Sequence, residues 1–112
     1  MNIRVVIATV IAMMSMSTAS ADTLVNPQSQ RISDLWNLTG ADSVGIKLSG
    51  ATFNGGCGGG NDMFATDPND ASNKLMQSLL LSAYLANRGV QVTVNGCVAG
   101  VSKIVAVHVT PN

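Results

Sequence analysis

The sequence predicts a small α+β domain that is rich in β-strands and carries one helix. Apolar and polar residues alternate over residues 43–49 and again over residues 90–94, which is typical of strands with one buried face. Between them, residues 71–87 carry apolar side chains at helical spacing. The chain beyond residue 21 is long enough for one domain and too short for two, so we expect one hydrophobic core.

Residues 1–21 predict a secretory signal peptide. Arg4 supplies a positive charge, Val5 to Met14 form an apolar run, and Ala19-Ser20-Ala21 fits the pattern that signal peptidase cleaves. The apolar run is shorter than the roughly 20 residues that cross a bilayer, so we expect no membrane span after signal removal. The sequence therefore predicts an exported protein, periplasmic or extracellular, whose single disulfide-bonded domain is residues 22–112.

The segments that precede the helix differ in how clearly they predict structure. Residues 22–31 are polar and predict an irregular lead-in, whereas residues 32–38 fit neither a strand nor a helical period. Residues 43–49 predict a half-buried strand. Residues 54–62 read NGGCGGGND and predict a loop or bulge, because glycine disfavours regular elements and admits positive φ. Residues 63–65 predict one more short strand.

The predicted helix has a wide apolar surface. Asp70 or Ser72 suits its N-cap and Gly89 its C′ position. Its packing stripe is predicted to contain Leu75, Met76, Leu79, Leu80, Ala83 and Tyr84. Leu81 and Leu85 lie away from the centre of this stripe, so the apolar surface exceeds what one packing face requires. The width of this surface suggests a homo-oligomer formed through the Leu81 and Leu85 side.

The residues after the helix predict two strands joined as a hairpin. Residues 90–94 form the first strand, Asn95-Gly96 is a turn signal, and residues 97–102 lengthen the connection. Residues 104–109 are β-branched and predict the final strand. The architecture we expect is an OB-like barrel, or a curved antiparallel sheet, with one amphipathic helix over about residues 71–87.

The chain has two cysteines, Cys57 and Cys97. In an exported domain of this size two cysteines favour a disulfide, because the compartment is oxidising and the core is small. Closing a loop of this length constrains the unfolded chain by about 4 kcal/mol. A cysteine nucleophile assisted by His108 and an aspartate is the alternative, and it requires free thiols.

The segment NKLMQSLLLSAYLANRGVQVTVNGC, followed by SKIVAVHV, resembles a group of small secreted bacterial proteins of unassigned function. The shared pattern is a Gly-flanked Cys, a Leu-rich helix, a strand that ends in Gly-Cys, and a final Ile/Val strand, over residues 54–109. The helix and last two strands also resemble the B subunits of pentameric toxins of the cholera and subtilase types. That resemblance implies an OB-type barrel, a ring of five copies and glycan binding, but it matches no sugar-contacting position in residues 22–50.

The composition excludes several classes of function. Six basic residues balance six acidic ones, so no electrostatic feature points to nucleic acid. The chain has no Glu and one His, His108, which leaves few groups for acid-base catalysis, and we predict that it is not an enzyme. The oxygen-bearing side chains before the helix are Asn61, Asp62, Asp67, Asn69 and Asp70. Their spacing departs from that of a calcium loop, so no metal is expected, and no cofactor is expected either.

The candidate ligand-binding residues are Trp36, Asn61 and Asp62. Trp36 is the only Trp and could stack on a sugar ring, although a core position is the simpler interpretation. The sequence favours an exported, noncatalytic binding or assembly module. The alternatives are a glycan-binding component like a toxin B subunit and, third, a small periplasmic enzyme or inhibitor.

Overall fold

The computed structural model describes residues 22–25, 28–50 and 53–111. The predicted signal peptide, residues 1–21, lies outside the described residues. The described part of the chain contains six strands and one helix, which confirms the predicted α+β class. In chain order they are β1 (Thr23–Leu24), β2 (Gln30–Asn37), β3 (Val44–Leu48), β4 (Met63–Thr66), α1 (Asn73–Leu85), β5 (Gly89–Val98) and β6 (Val101–Val109).

The strands form one sheet that curves into a ring. Its strand order is β1-β5-β2-β3-β4-β6. Strand β6, at the end of this order, also pairs with β5, and this pairing brings the sheet round on itself. All pairs are antiparallel except β4 with β6. The closure between β2 and β5 consists of Gln30 opposite Val90 and Arg31 opposite Gly89, so the ring is not evenly closed. With α1 between β4 and β5, this is an OB-like arrangement.

The core fills the space between the curved sheet and one face of α1. Strand residues that point inward are fully or nearly fully buried, and the helix contributes three apolar residues, Met76, Leu80 and Ala83. The strand residues of this core are Ile32, Ile46, Leu48, Phe64, Val90, Val92, Val94 and Ile104. Every strand from β2 to β6 supplies at least one of them, so the core connects the whole ring to the helix.

Helix α1 is shorter than the predicted 71–87 at both ends. Ser72 occupies the N-cap but makes no side-chain capping hydrogen bond, and the Asp70 carboxylate instead accepts the Ser72 N–H at 2.8 Å. At the other end Asn87, with φ of 54°, takes the left-handed position expected of Gly89. The Arg88 N–H then donates to the Ala83 carbonyl at 2.9 Å, as in a Schellman motif. The predicted Gly89 cap was wrong because Asn also tolerates this conformation.

The hairpin turn lies four residues beyond the position that the sequence suggested. Asn95-Gly96 is inside β5, where the pairing with β6 shifts register. The turn consists of Ala99 and Gly100, both with positive φ, as in a type I′ hairpin. The expected long connection over residues 97–102 is therefore wrong. An Asn-Gly pair also suits a bulge, since Gly96 has φ of 76°.

The predicted disulfide between Cys57 and Cys97 is present, with a Cα–Cα distance of 5.7 Å. It joins the glycine-rich loop to β5, near the end of that strand. The two hydrogen bonds between Phe53 and Asp62 close the base of this loop. Within the described residues, no helix is long and apolar enough to cross a membrane.

Candidate functional site

An open cleft of about 480 Å³ lies where the outer face of the sheet meets α1. Strand β2 contributes Trp36 and Asp34 from alternate positions, which places both side chains on one face of the sheet. Strands β3 and β4 add Lys47 and Met63, which are paired with each other in the sheet register. The remaining lining residues are Leu35 and, from the helix, Tyr84. The cleft therefore combines two aromatic side chains with one acidic and one basic group.

Trp36 lies over Gly45, its partner across the β2–β3 pair. A Cβ atom at position 45 would come within 2.3 Å of Trp36 Cε2, so the ring occupies the space that a side chain would fill. Gly45 is buried as a result, whereas Trp36 keeps part of its surface in solvent. The Trp36 ring is therefore half-buried, neither enclosed in the core nor fully exposed.

The two charged groups of the cleft are available to a ligand. Asp34 and Lys47 are opposite each other in the sheet, and both side chains are exposed. Among the described residues the ion pair within 4.0 Å is Lys74 with Asp42, which leaves Asp34 and Lys47 outside any such pair. A hydroxyl-rich or amphoteric ligand could accept a hydrogen bond from Lys47 and donate one to Asp34.

A second, smaller cleft of about 270 Å³ continues along the same side of the helix. It shares Leu35 with the first cleft, and Leu81 and Val44 form much of its apolar wall. Lys74 and Gln77 border it from the helix. The two clefts therefore form a groove between α1 and the β2–β3 pair.

The loop before β3 is attached to the helix at this groove. The Asp42 carboxylate accepts hydrogen bonds from Lys74 at 2.5 Å and from Gln77 at 2.9 Å, and its backbone carbonyl accepts one from the Asn73 side chain at 2.7 Å. The Lys74 hydrogen bond, followed by that of Gln77, lowers the pKa of Asp42 below its ordinary value of 3.8. Residue 42 thus holds one wall of the groove in place.

The outward face of α1 is apolar to an extent that one domain does not require. Leu85, Leu75 and Leu81 are 74%, 63% and 46% exposed, whereas Tyr84, at 42%, lies on the side of the helix that borders the first cleft. The expectation that Leu75 and Tyr84 pack in the core was wrong. The core instead takes the residues nearest the sheet, and the leucine-rich sequence leaves the others in solvent.

Asn61 and Asp62 are not in the cleft with Trp36. Asn61 is exposed in the turn before β4, whereas Asp62 is buried and has φ of 61°. The Asp62 carboxylate accepts a hydrogen bond from the Phe53 N–H at 2.8 Å, so it joins the two ends of the glycine-rich loop. Tyr84, Lys47 and Asp34 were missed as cleft residues. The alternation of residues 43–49 already placed Lys47 on the solvent face, but nothing in the sequence placed Tyr84 beside it.

The described residues offer few groups for the two alternative chemistries, a cysteine nucleophile and a metal site. Both cysteines are in the disulfide, which removes the thiol that a cysteine nucleophile requires. His108 is exposed on β6, and its Nδ1 lies 3.0 Å from Gln91 Oε1. No group of three or more His, Cys, Asp or Glu side chains in the described ranges could hold a metal ion.

A comparison with protein-family models finds no match, and a comparison with curated protein sequences finds none either. Among solved structures, the chain is similar to the cholera toxin-like B-subunit from Citrobacter freundii, with a TM-score of 0.58 at 13% sequence identity. The similarity covers 85% of this chain and 90% of that one. At such low identity the likeness establishes the fold alone. It supports the fold that the resemblance to toxin B subunits implied.

Proposed function

We propose that this chain is an exported, noncatalytic binding subunit that works as an assembly of several copies of itself. The observation that carries the proposal is the outward face of α1, defined by Leu81 and Leu85, which lie one turn apart, and by Leu75 nearer the start of the helix. Several exposed large apolar side chains on one side of a small domain are typical of an interaction site. Covering it contributes about 25 cal/mol per Å² of apolar area removed from water.

The chemistry of the helix favours a second copy of this chain as the occupant. Lys74 is its only charged residue, so two such helices can approach with little like-charge repulsion. Ser78 and Ser82 lie near the middle of the outward face, and small side chains there permit close helix packing. The structural similarity to a protein named as a B-subunit agrees with an assembled component.

The solution mass of the chain without residues 1–21, measured by sedimentation or light scattering over a range of concentrations, tests this proposal. We expect an oligomer, and we expect the double variant Leu81→Ser/Leu85→Ser to dissociate it while keeping its circular dichroism spectrum. Leu24→Ser is the matched control, because Leu24 is 50% exposed but lies on β1. A strictly monomeric wild-type protein would refute assembly, and equal dissociation by the control would remove α1 as the interface.

A second function, glycan binding, is favoured by the cleft around Trp36. Sugar rings present apolar C–H faces that stack on aromatic rings, and their hydroxyl groups hydrogen-bond to charged side chains. Trp36 and Tyr84 supply the aromatic surfaces, and Asp34 and Lys47 supply the polar groups. The cleft has the concave form and mixed lining of small-ligand sites.

Trp36 is the only Trp in the chain, so its fluorescence reports directly on the cleft. We expect a glycan identified on an array to change this fluorescence with a saturable dependence on concentration. Tyr84→Ala should weaken the binding, whereas Tyr84→Phe should retain most of the stacking. Wild-type protein that binds neither neutral nor acidic glycans would end the glycan hypothesis and leave the assembly proposal standing.

A further inference from the structure

The glycine-rich loop contains an Asn-Gly pair, Asn54-Gly55, in an exposed position. Asn54, Gly55 and Gly56 are all exposed, and they lie outside the strands and the helix. Gly55 has no Cβ to hinder the approach of its own backbone nitrogen to the preceding side chain. Within the described residues no hydrogen bond uses the Gly55 N–H. No partner in the described ranges therefore engages the atom that would act as a nucleophile.

The side chain of Asn54 is hydrogen-bonded to the backbone of the same loop. The Gly56 N–H donates to Asn54 Oδ1 at 2.8 Å, which also establishes which end of the amide is oxygen. If the Gly55 nitrogen attacked the side-chain carbonyl carbon, negative charge would develop on Oδ1. A donor already placed on that oxygen stabilises the charge, as in an oxyanion hole.

We infer that Asn54 is a site of spontaneous modification, at which the side-chain amide converts to a carboxylate. The Gly55 nitrogen loses its proton to water and bonds to Asn54 Cγ. The bond from Cγ to Nδ2 breaks, and ammonia leaves with a proton from solvent. Water then opens the resulting five-membered imide at either carbonyl, which gives aspartate or its β-linked isomer. No oxidant or enzyme is required, and the loop gains one negative charge.

The other Asn-Gly pair in the chain, Asn95-Gly96, provides an internal comparison. It lies within β5, and the Asn95 side chain donates to the Asp22 carboxylate at 3.0 Å. Attack at Asn95 therefore requires loss of that hydrogen bond and local movement of β5, whose pairing with β6 shifts register at this point. The two pairs share the same reacting atoms, so their difference in rate reports the structure around each.

The test is to incubate the oxidised protein without residues 1–21 at mildly alkaline pH. Peptide mapping by mass spectrometry then follows conversion at both positions, and anion exchange follows the added charge. We expect conversion at Asn54 to be about tenfold faster than at Asn95, which corresponds to a local opening cost of roughly 1.4 kcal/mol at β5. In denaturant the two rates should become similar, because neither pair is then held by structure.

Two conservative variants complete the design. Asn54→Gln should abolish the early acidic form, since a glutamine would need a larger ring, and Asn95→Gln should leave it unchanged. Retention of the acidic form in Asn54→Gln would overturn the inference. So would equal rates at the two positions in the folded protein, or an Asn54 that stays intact when folded but converts when denatured.

Discussion

Gly45 has no side chain, and the Trp36 ring occupies the space that one would fill. In this contact one residue determines where the side chain of another can lie. It holds the indole against the sheet while leaving part of it exposed in the cleft. The form of the cleft therefore depends on a glycine that contributes no chemical group of its own.

Gly45→Ala is expected to displace the Trp36 ring. The added methyl would lie 2.3 Å from Trp36 Cε2, and overpacking of this kind typically costs about 1–3 kcal/mol. Denaturant unfolding measures the loss, and the emission maximum of Trp36 should shift to the red. In a Trp36→Ala background the same substitution should cost much less. An equal cost in both backgrounds would show that the clash is not the cause.

The Asp42 carboxylate is expected to make stability depend on acid pH. Hydrogen bonds from Lys74 and Gln77 lower its pKa in the folded state, so its stabilising effect is present above the ordinary value of 3.8. The effect is lost as the pH falls through the lowered folded-state pKa. Thermal unfolding of wild type and Asp42→Asn over acid pH should converge at the lowest pH. Curves that stay parallel throughout would contradict this assignment.

The two faces of helix α1 have different roles, because one packs in the core and the other lies in solvent. Leu80 is fully buried, whereas Leu75, on the same helix, is 63% exposed. We expect Leu80→Ala to lower the free energy of unfolding by about 2–5 kcal/mol. Leu75→Ala should change it by less than about 0.5 kcal/mol at concentrations where the chain is monomeric. Comparable losses, measured by denaturant unfolding, would mean that Leu75 packs within the domain.

The glycine-rich loop is linked covalently to β5 by the disulfide. The double variant Cys57→Ala/Cys97→Ala removes a covalent link between residues that are 40 positions apart in the chain. Because the unfolded chain is then less constrained, we expect the free energy of unfolding to fall by about 4 kcal/mol. Chemical denaturation of the variant and of reduced wild type should agree. If the double variant were as stable as the oxidised protein, the contacts of Gly55 and Gly59 with the hairpin would suffice to hold the loop.

At the scale of the whole molecule, export remains a prediction from residues 1–21. Expression of the full sequence in a bacterium should yield a processed protein in the periplasm or medium, with Asp22 at its N-terminus by Edman degradation. Replacing apolar residues of the Val5 to Met14 run with charged ones should block processing. Unprocessed protein that stays in the cytoplasm of the wild-type strain would contradict the signal-peptide assignment.

The long-range closure of the ring could not be read from the sequence. Strand β4 pairs in parallel with β6 although α1 and β5 intervene, and the contact of β2 with β5 joins residues far apart in the chain. Local alternation predicts that a strand exists and which of its faces is buried. It does not state which other strand supplies the hydrogen bonds.

Local sequence determined the class of the domain, the disulfide pair and the position of α1. Strands and helices follow from the periodicity of neighbouring residues, and two cysteines in one small domain allow a single pairing. Tertiary structure decided the rest. It selected the helix face that contacts the core and left Leu75 and Tyr84 in solvent. It also brought Tyr84 to the same cleft as Trp36, which follows from how α1 packs across the sheet and from no pattern in either segment.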